Sequence, residues 1–196
     1  MAEISIESIK KLKELSGVGL TDAKKALVEA DGDFDKALKA MREKGLTKAE
    51  KRGDRETREG IIDAYIHDGR LGAIVEVNCE TSFVAKTDEF KTLAHQIAMQ
   101  IASMNPLYVS EADIPADVKE AKMKELEANF KGPEKMKAQI LEGQAKKAFS
   151  DKVLMNQPYI LDDTKTVEQF IKEAIAKTGE NITVKQFKRI ELGVTE

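Results

Sequence analysis

The sequence predicts an α+β fold: a small three-helix head, a charged linker, and a core in which a three-stranded antiparallel sheet is packed by helices and carries a helical-hairpin arm. Three observations predict it. Helical apolar spacing punctuated by glycine fills residues 1–45, two-residue alternation around Asp68-Gly69 fills residues 60–80, and long charged amphipathic stretches follow. The boundaries read as head 1–45, linker 46–58 and core 59–196, with the arm at 116–150. With 196 residues, 41% hydrophobic and 34% charged, the chain can bury a core without disulfide staples. It is neither disordered nor collagen-like by composition.

In the head, Ile6, Ile9, Leu12 and Leu15 recur at helical spacing, and Ser16-Gly17-Val18-Gly19 ends that helix. Thr21 reads as the cap of a second helix holding Ala23, Ala26, Leu27 and Ala30. Asp31-Gly32-Asp33 is turn chemistry, with Asp33 capping a third helix through Phe34, Ala37, Leu38 and Met41 that Gly45 ends. Three helices of this size share only a small core, so marginal stability is expected of the head alone. Residues 46–58 have almost no apolar face and read as a solvated, partly helical tether.

Residues 60–80 read as a hairpin. Ile62, Ala64 and Ile66 alternate with Asp63 and Tyr65; after a turn at His67-Asp68-Gly69-Arg70, Leu71, Ala73, Val75, Val77 and Cys79 share one face. Asp-Gly suits the positive φ angles of a tight hairpin turn. A helix follows over 87–103, with Thr87 as cap, Asp88 and Glu89 in its first turn, and Phe90, Leu93, Ala94, Ile97 and Ile101 as its stripe. Residues 116–130 and 133–150 read as two helices joined at Lys131-Gly132-Pro133. Their sparse apolar positions (Val118, Met123, Leu126 and Phe130; Met136, Ile140, Leu141 and Phe149) suit an antiparallel hairpin. Thr166-Val167-Glu168-Gln169 is a capping box opening a helix through Phe170, Ile171, Ala174 and Ile175 that Gly179 closes. Ile182, Val184, Phe187, Ile190 and Leu192 suggest a last strand whose alternation slips near Lys188.

Composition closes off most site chemistry. The single Cys79 cannot form an internal bridge and reads as a reduced, intracellular residue, most simply a small buried hydrophobe. Two His and one Cys, far apart, match no zinc spacing, so no metal and no cofactor is expected. The acidic N-terminal stretch lacks the pattern of a secretion signal, and no apolar run approaches the ~20 residues of a membrane span. A cytoplasmic protein without membrane association is expected. A net charge of −3 with no Trp argues against a direct nucleic-acid binder. Gly17-Val18-Gly19-Leu20-Thr21-Asp22 lacks the third glycine and preceding strand of a dinucleotide loop, and no phosphate-cradling loop or nucleophile-His grouping is present. The chain reads as a binder and not as an enzyme.

One segment is odd. Glu80-Thr81-Ser82-Phe83-Val84-Ala85-Lys86 connects a strand to a helix, where polar residues are the rule, yet holds Phe83 and Val84. Two readings stay open: Phe83 folds back as core, or it is an apolar knob held out by rigid flanks for a partner.

Asn78-Cys79-Glu80-Thr81-Ser82-Phe83-Val84-Ala85 resembles the NCETDFVA signature of the elongation factor Ts family, the guanine-nucleotide exchange factors of elongation factor Tu. Leu15-Ser16-Gly17-Val18-Gly19-Leu20-Thr21-Asp22-Ala23-Lys24-Lys25-Ala26-Leu27 resembles the TGAGMMDCKKAL stretch of that family's ubiquitin-associated-like head. Gly179-Glu180-Asn181-Ile182 and Phe187-Lys188-Arg189-Ile190-Glu191-Leu192-Gly193 resemble its closing strand. The resemblance covers nearly the whole chain. Where the family has Asp before the Phe, this chain has Ser82, so a polar contact of that carboxylate is weakened or replaced.

The resemblance implies binding to elongation factor Tu, both GDP-bound and nucleotide-free, with Mg²⁺ displaced and GDP released so that GTP can rebind. Thr81, Ser82, Phe83 and Val84 are then the intruding segment, and Gly17, Val18, Gly19, Leu20 and Lys24 the head's docking surface, Lys24 pairing an acid. His67 is a weaker candidate for a further partner contact, against its plain reading as a solvated turn residue. The chain resembles the short form with one core module, which implies a homodimer in a 2:2 complex, seamed at the edge of the last strand. Lys188 stands about where some short forms have a Cys, so no covalent dimer is expected. Two other classes remain: an adaptor using the head to bind a helix or a ubiquitin-like fold, and a ribosome- or RNA-associated protein, which the acidic total charge disfavours.

Overall fold

A computed structural model describes residues 4–16, 19–50, 52–130 and 136–194. Eight α-helices and five strands run in the order α1 (Ile6–Ser16), α2 (Leu20–Glu29), α3 (Phe34–Glu50), β1 (Glu59–His67), β2 (Leu71–Cys79), α4 (Ser82–Ala85), α5 (Asp88–Met104), α6 (Ala116–Ala128), α7 (Lys137–Ser150), β3 (Pro158–Tyr159), β4 (Asp162–Thr166), α8 (Val167–Thr178) and β5 (Ile182–Glu191) among the described residues. The architecture is α+β, with three N-terminal helices followed by a core of helices and an antiparallel sheet of order β1-β2-β5. The Leu192 N–H donates to the Arg70 carbonyl (2.8 Å). That bond sets the end of β5 beside the start of β2, as antiparallel pairing requires.

The chain divides into two compact units. The first takes the described residues of Met1–Asp63, Glu76–Ala94 and Glu168–Val184, the second those of Ala64–Val75, His95–Val167 and Lys185–Glu196. In the first unit α1, α2 and α3 pack on one another. They share a core of Ile9, Leu12, Ala23, Ala26, Leu27, Ala30, Ala37 and Met41. Asp33 caps α3 by accepting from the Lys36 N–H at 3.0 Å. Three expectations for the head are corrected. Ile6 is exposed, because the buried stripe of α1 holds Ile9 and Leu12. Thr21 does not cap α2: the helix starts two residues earlier, at Leu20, with extended Gly19 as its N-cap and no side-chain cap. And α3 does not stop at Gly45 but continues to Glu50, since one glycine costs only ~1 kcal/mol and Leu, Lys, Ala and Glu beyond it are strong helix formers.

The linker is also not a free tether. Arg52 donates to the Ile175 carbonyl (3.3 Å), Asn181 Nδ2 donates to the carbonyls of Gly53 (3.1 Å) and Arg55 (2.7 Å), and Thr57 shares a hydroxyl hydrogen bond with Thr183 (2.8 Å). The segment is thus held mainly through backbone carbonyls and a hydroxyl, with Arg52 the one charged side chain among these bonds, against α8, Asn181 and β5.

The hairpin forms as expected, with Asp68 and Gly69 at φ 49° and 67°. Ala73, Val75, Val77 and Cys79 of β2 are buried. In β1 the Ile62–Ala64–Ile66 row faces outward, Ile62 and Ile66 being 69% and 71% exposed, while Tyr65 is half-buried. Gly60 is required: a Cβ there would lie 2.2 Å from the Val77 oxygen, across the β1–β2 pairing. In β5 Ile182 and Val184 are buried, then Lys185 and Gln186 are both exposed. The alternation therefore slips there and not near Lys188, leaving Ile190 and Leu192 exposed.

Helix α5 buries Phe90, Leu93, Ala94, Ile97 and Ile101, and Thr87 caps it by accepting from the Phe90 N–H (3.2 Å). In the second unit α6 and α7 pack against each other as the arm; their expected junction at Lys131-Gly132-Pro133 lies outside the described residues. Strands β3 and β4 form a separate antiparallel pair that the sequence pattern did not signal. Buried Gln100 ties this region together: it donates to Gln157 and to the Pro158 carbonyl, both at 3.1 Å, and accepts from the Ile160 N–H at 2.8 Å. Gly179, at φ 80°, closes α8 with its N–H on the Ile175 carbonyl.

Candidate functional site

The connection between β2 and α5 is built from residues 80–87. Thr81, in extended conformation, is the N-cap of the single-turn α4, its hydroxyl accepting from the Val84 N–H at 3.5 Å. At the other end Thr87 donates both its N–H (3.0 Å) and its hydroxyl (2.8 Å) to the Val84 carbonyl. Ala85 is buried and anchors the turn, while Ser82 and Val84 are half-buried. Phe83 is 85% exposed. The core reading of this ring is thereby overturned: α4 turns its small residue inward and its aromatic residue to solvent.

Beneath the turn lies a clamp of two glutamates. The Glu180 carboxylate accepts the N–H groups of Glu80 (3.1 Å) and Thr81 (3.0 Å) and the Thr81 hydroxyl (2.6 Å). Reciprocally, Glu80 accepts the Asn181 N–H at 2.6 Å and meets the Arg55 guanidinium at 3.4 Å. Cys79 sits under this network and donates to the Thr81 carbonyl at 3.2 Å. Burial, seconded by the Glu180 charge, pushes its thiol above the ordinary value. Cys79 is thus a protonated structural donor and a poor nucleophile.

The remaining candidates fall elsewhere. Gly17 and Val18 lie outside the described residues. Gly19, Leu20 and Lys24 are exposed at the start of α2, with Leu20 and Lys24 one turn apart on the same side. His67, in the second unit, is exposed at the end of β1 but is not simply solvated: its Nδ1 lies 3.0 Å from the Tyr65 hydroxyl, and Tyr65 meets His95 edge-on at 5.8 Å. Among the described residues no group of three or more His, Cys, Asp or Glu could hold a metal ion, and no helix is long and apolar enough to cross a membrane. The sequence reading placed Glu80, Glu180 and Asn181 in motifs but did not see them, or Arg55, as supports of this turn, because nothing in the chain near residue 80 announces partners 25 positions earlier or about a hundred later.

An exposed aromatic on a clamped strand-to-helix turn invites comparison with proteins carrying the same segment. The family model described as Elongation factor TS matches residues 7–194. Elongation factor Ts of Thermotoga maritima is 52% identical over 193 residues, 97% of both chains, and that of Thermoanaerobacter sp. (strain X514) is 47% identical over 194 residues, 97% of this chain and 95% of the relative. The chain belongs to the elongation factor Ts family. As a family member it carries a serine, Ser82, at the first position of α4, where the family signature has Asp.

Proposed function

We propose that the chain is a guanine-nucleotide exchange factor that binds elongation factor Tu–GDP, displaces Mg²⁺ and promotes GDP release so that GTP can rebind. The observation that carries this reading is the exposed ring of Phe83 on a turn clamped from below. Mg²⁺ offsets phosphate charge in a G protein, so moving the elements that support it weakens nucleotide binding. The factor need not touch GDP. It must bind the nucleotide-free form better than the loaded form, and linkage then weakens nucleotide binding by the same factor. Phe83 wedges into the partner, Val84 adds apolar contact, and Thr81 and Ser82 bond its rim. Leu20 and Lys24, with Gly17, Val18 and Gly19, dock the head on the same partner domain as Phe83, with His67 as a lesser contact on another.

In this reading the factor works in the cytoplasm, without covalent chemistry, as a homodimer in a 2:2 complex. Support for the dimer comes from β5, an edge strand that carries exposed Ile190 and leads into exposed Leu192. Stopped-flow release of fluorescent GDP from purified elongation factor Tu tests the function. Acceleration of at least ~10-fold is expected, about 1.4 kcal/mol off the barrier to GDP dissociation; a chain that binds without acceleration is an adaptor and overturns the reading. Light scattering of the free chain at twice the monomer mass is the expected dimer result.

A further inference from the structure

We infer that Glu180, on the α8–β5 connection, is a positioning residue that aims Phe83; the inference rests on the exchange reading of residues 81–84. The starting point is that α4 cannot hold itself. A helix of four residues is all nucleation and almost no propagation, so its geometry is imposed from its ends. Nor can the Phe83 ring hold it, since an 85% exposed ring has given up most of its packing contacts.

Two end restraints are present. Thr87 fixes the Val84 carbonyl at the C-terminal end. At the N-terminal end Thr81 does the capping, and the state of its hydroxyl decides whether it can. A hydroxyl has one proton and two lone pairs. Glu180 Oε1 takes that proton at 2.6 Å, which leaves the oxygen's lone pairs to face the Val84 N–H. Glu180 Oε2 meanwhile takes the backbone N–H groups of Glu80 and Thr81, fixing the chain just before the turn. One carboxylate thus orients both the cap's backbone and the cap's hydroxyl.

Chemistry distinguishes this task from mere filling. An ionised carboxylate is acceptor-only and receives all three donors in charge-assisted bonds; a glutamine of the same shape has one acceptor oxygen for the two backbone N–H groups and an NH₂ that donates to the Thr81 oxygen, so the charge is lost and the direction of the hydroxyl bond is reversed. Glu180→Gln therefore preserves volume while replacing the charge-assisted bonds that hold the cap with weaker neutral ones. The effect should appear in exchange and should act through the ring.

The test is GDP release from elongation factor Tu at saturating factor, with wild type, Glu180→Gln, Phe83→Ala and the double variant, each checked by circular dichroism. Glu180→Gln is expected to slow release by roughly tenfold, the worth of a charged hydrogen bond. In the Phe83→Ala background it is expected to add no further slowing, because there is no ring left to aim. Glu180→Asp, which keeps the charge, is expected to recover part of the rate and serves as the probe should the Gln variant fail to fold. Wild-type release by Glu180→Gln, or an equal loss in both backgrounds, overturns the inference and leaves the exchange reading standing. Wild-type release by Phe83→Ala removes Phe83 from the exchange mechanism, and the inference falls with it.

Discussion

Truncating Phe83 to alanine separates what the ring does for the monomer from what it does for a partner. Full burial of a Phe side chain stabilises a fold by ~1.5–3 kcal/mol. At 85% exposure, Phe83 realises only a small part of that, on the order of 0.5 kcal/mol or less. For a domain of this length the thermal midpoint should then fall by no more than ~2 °C. On the proposed exchange reading the same ring is a hot spot, and its truncation is expected to cost ~2 kcal/mol or more, hence about 30-fold in release rate per unit factor. The assays are thermal unfolding by circular dichroism and stopped-flow GDP release over a range of factor concentrations. Two outcomes refute the reasoning: release within about threefold of wild type by a folded variant, at the scale of an interface residue that carries no binding energy, or a midpoint lowered by ~10 °C, which would place the ring in the monomer's own stability ledger.

Three further predictions follow from backbone and burial. Gly60→Ala forces a Cβ to within 2.2 Å of the Val77 oxygen and 2.7 Å of the Asn78 Cα, backbone atoms that cannot step aside; a loss of ~3 kcal/mol and a midpoint drop of about 6 °C or more are expected in thermal unfolding. Gly143→Ala goes the other way, because a Cβ there meets nothing within 4 Å inside α7; the midpoint should rise by ~1–4 °C, and a fall would contradict the helical register. The Cys79 thiol is held above its ordinary value of 9.0 by burial and by Glu180. A raised folded pKa means that the unfolded chain loses its proton first. Stability is therefore whole below that value and falls as pH climbs past it, a decline that denaturant titrations should find shallower in Cys79→Ala.

What was legible in the sequence is what periodicity and local turn chemistry encode. Val75, Val77 and Cys79 announce a buried face by alternation, Thr87 announces α5 by its position before Asp88-Glu89, and Asp68-Gly69 announces the hairpin. Strand β1 shows the limit. Ile61, Asp63 and Tyr65 on one side and Ile62, Ala64 and Ile66 on the other are nearly balanced in apolar character, so the choice of inner face belongs to the tertiary fold. Strands β3 and β4 were silent because Asp162-Asp163-Thr164-Lys165 offers no apolar alternation. The oddity of Phe83 was visible, but whether the ring turned in or out depended on α4, which at four residues is too short for any period to show.

The clamp beneath α4 explains how an exposed phenylalanine can be useful. A ring left in water on a flexible loop would lose rotamer and backbone freedom on docking, and that ordering cost would be subtracted from its binding energy. Here the cost is met during folding. Glu180 and Thr87 fix the two ends of the turn with charge-assisted and hydroxyl hydrogen bonds, the buried Ala85 pins its inner side, and the Cys79 thiol donates to the Thr81 carbonyl from below. On the proposed exchange reading, affinity that would otherwise go into ordering the loop becomes available to distort the partner. A corollary is that loosening either end should reduce exchange without removing any atom that touches the partner. Thr87→Val abolishes the hydroxyl bond to the Val84 carbonyl and the cap of α5 at once. It should lower the thermal midpoint by ~2–4 °C for the lost cap and slow GDP release at saturation by more than that stability loss accounts for. A variant that loses stability but keeps the full release rate would mean that the turn is aimed from its N-terminal end alone.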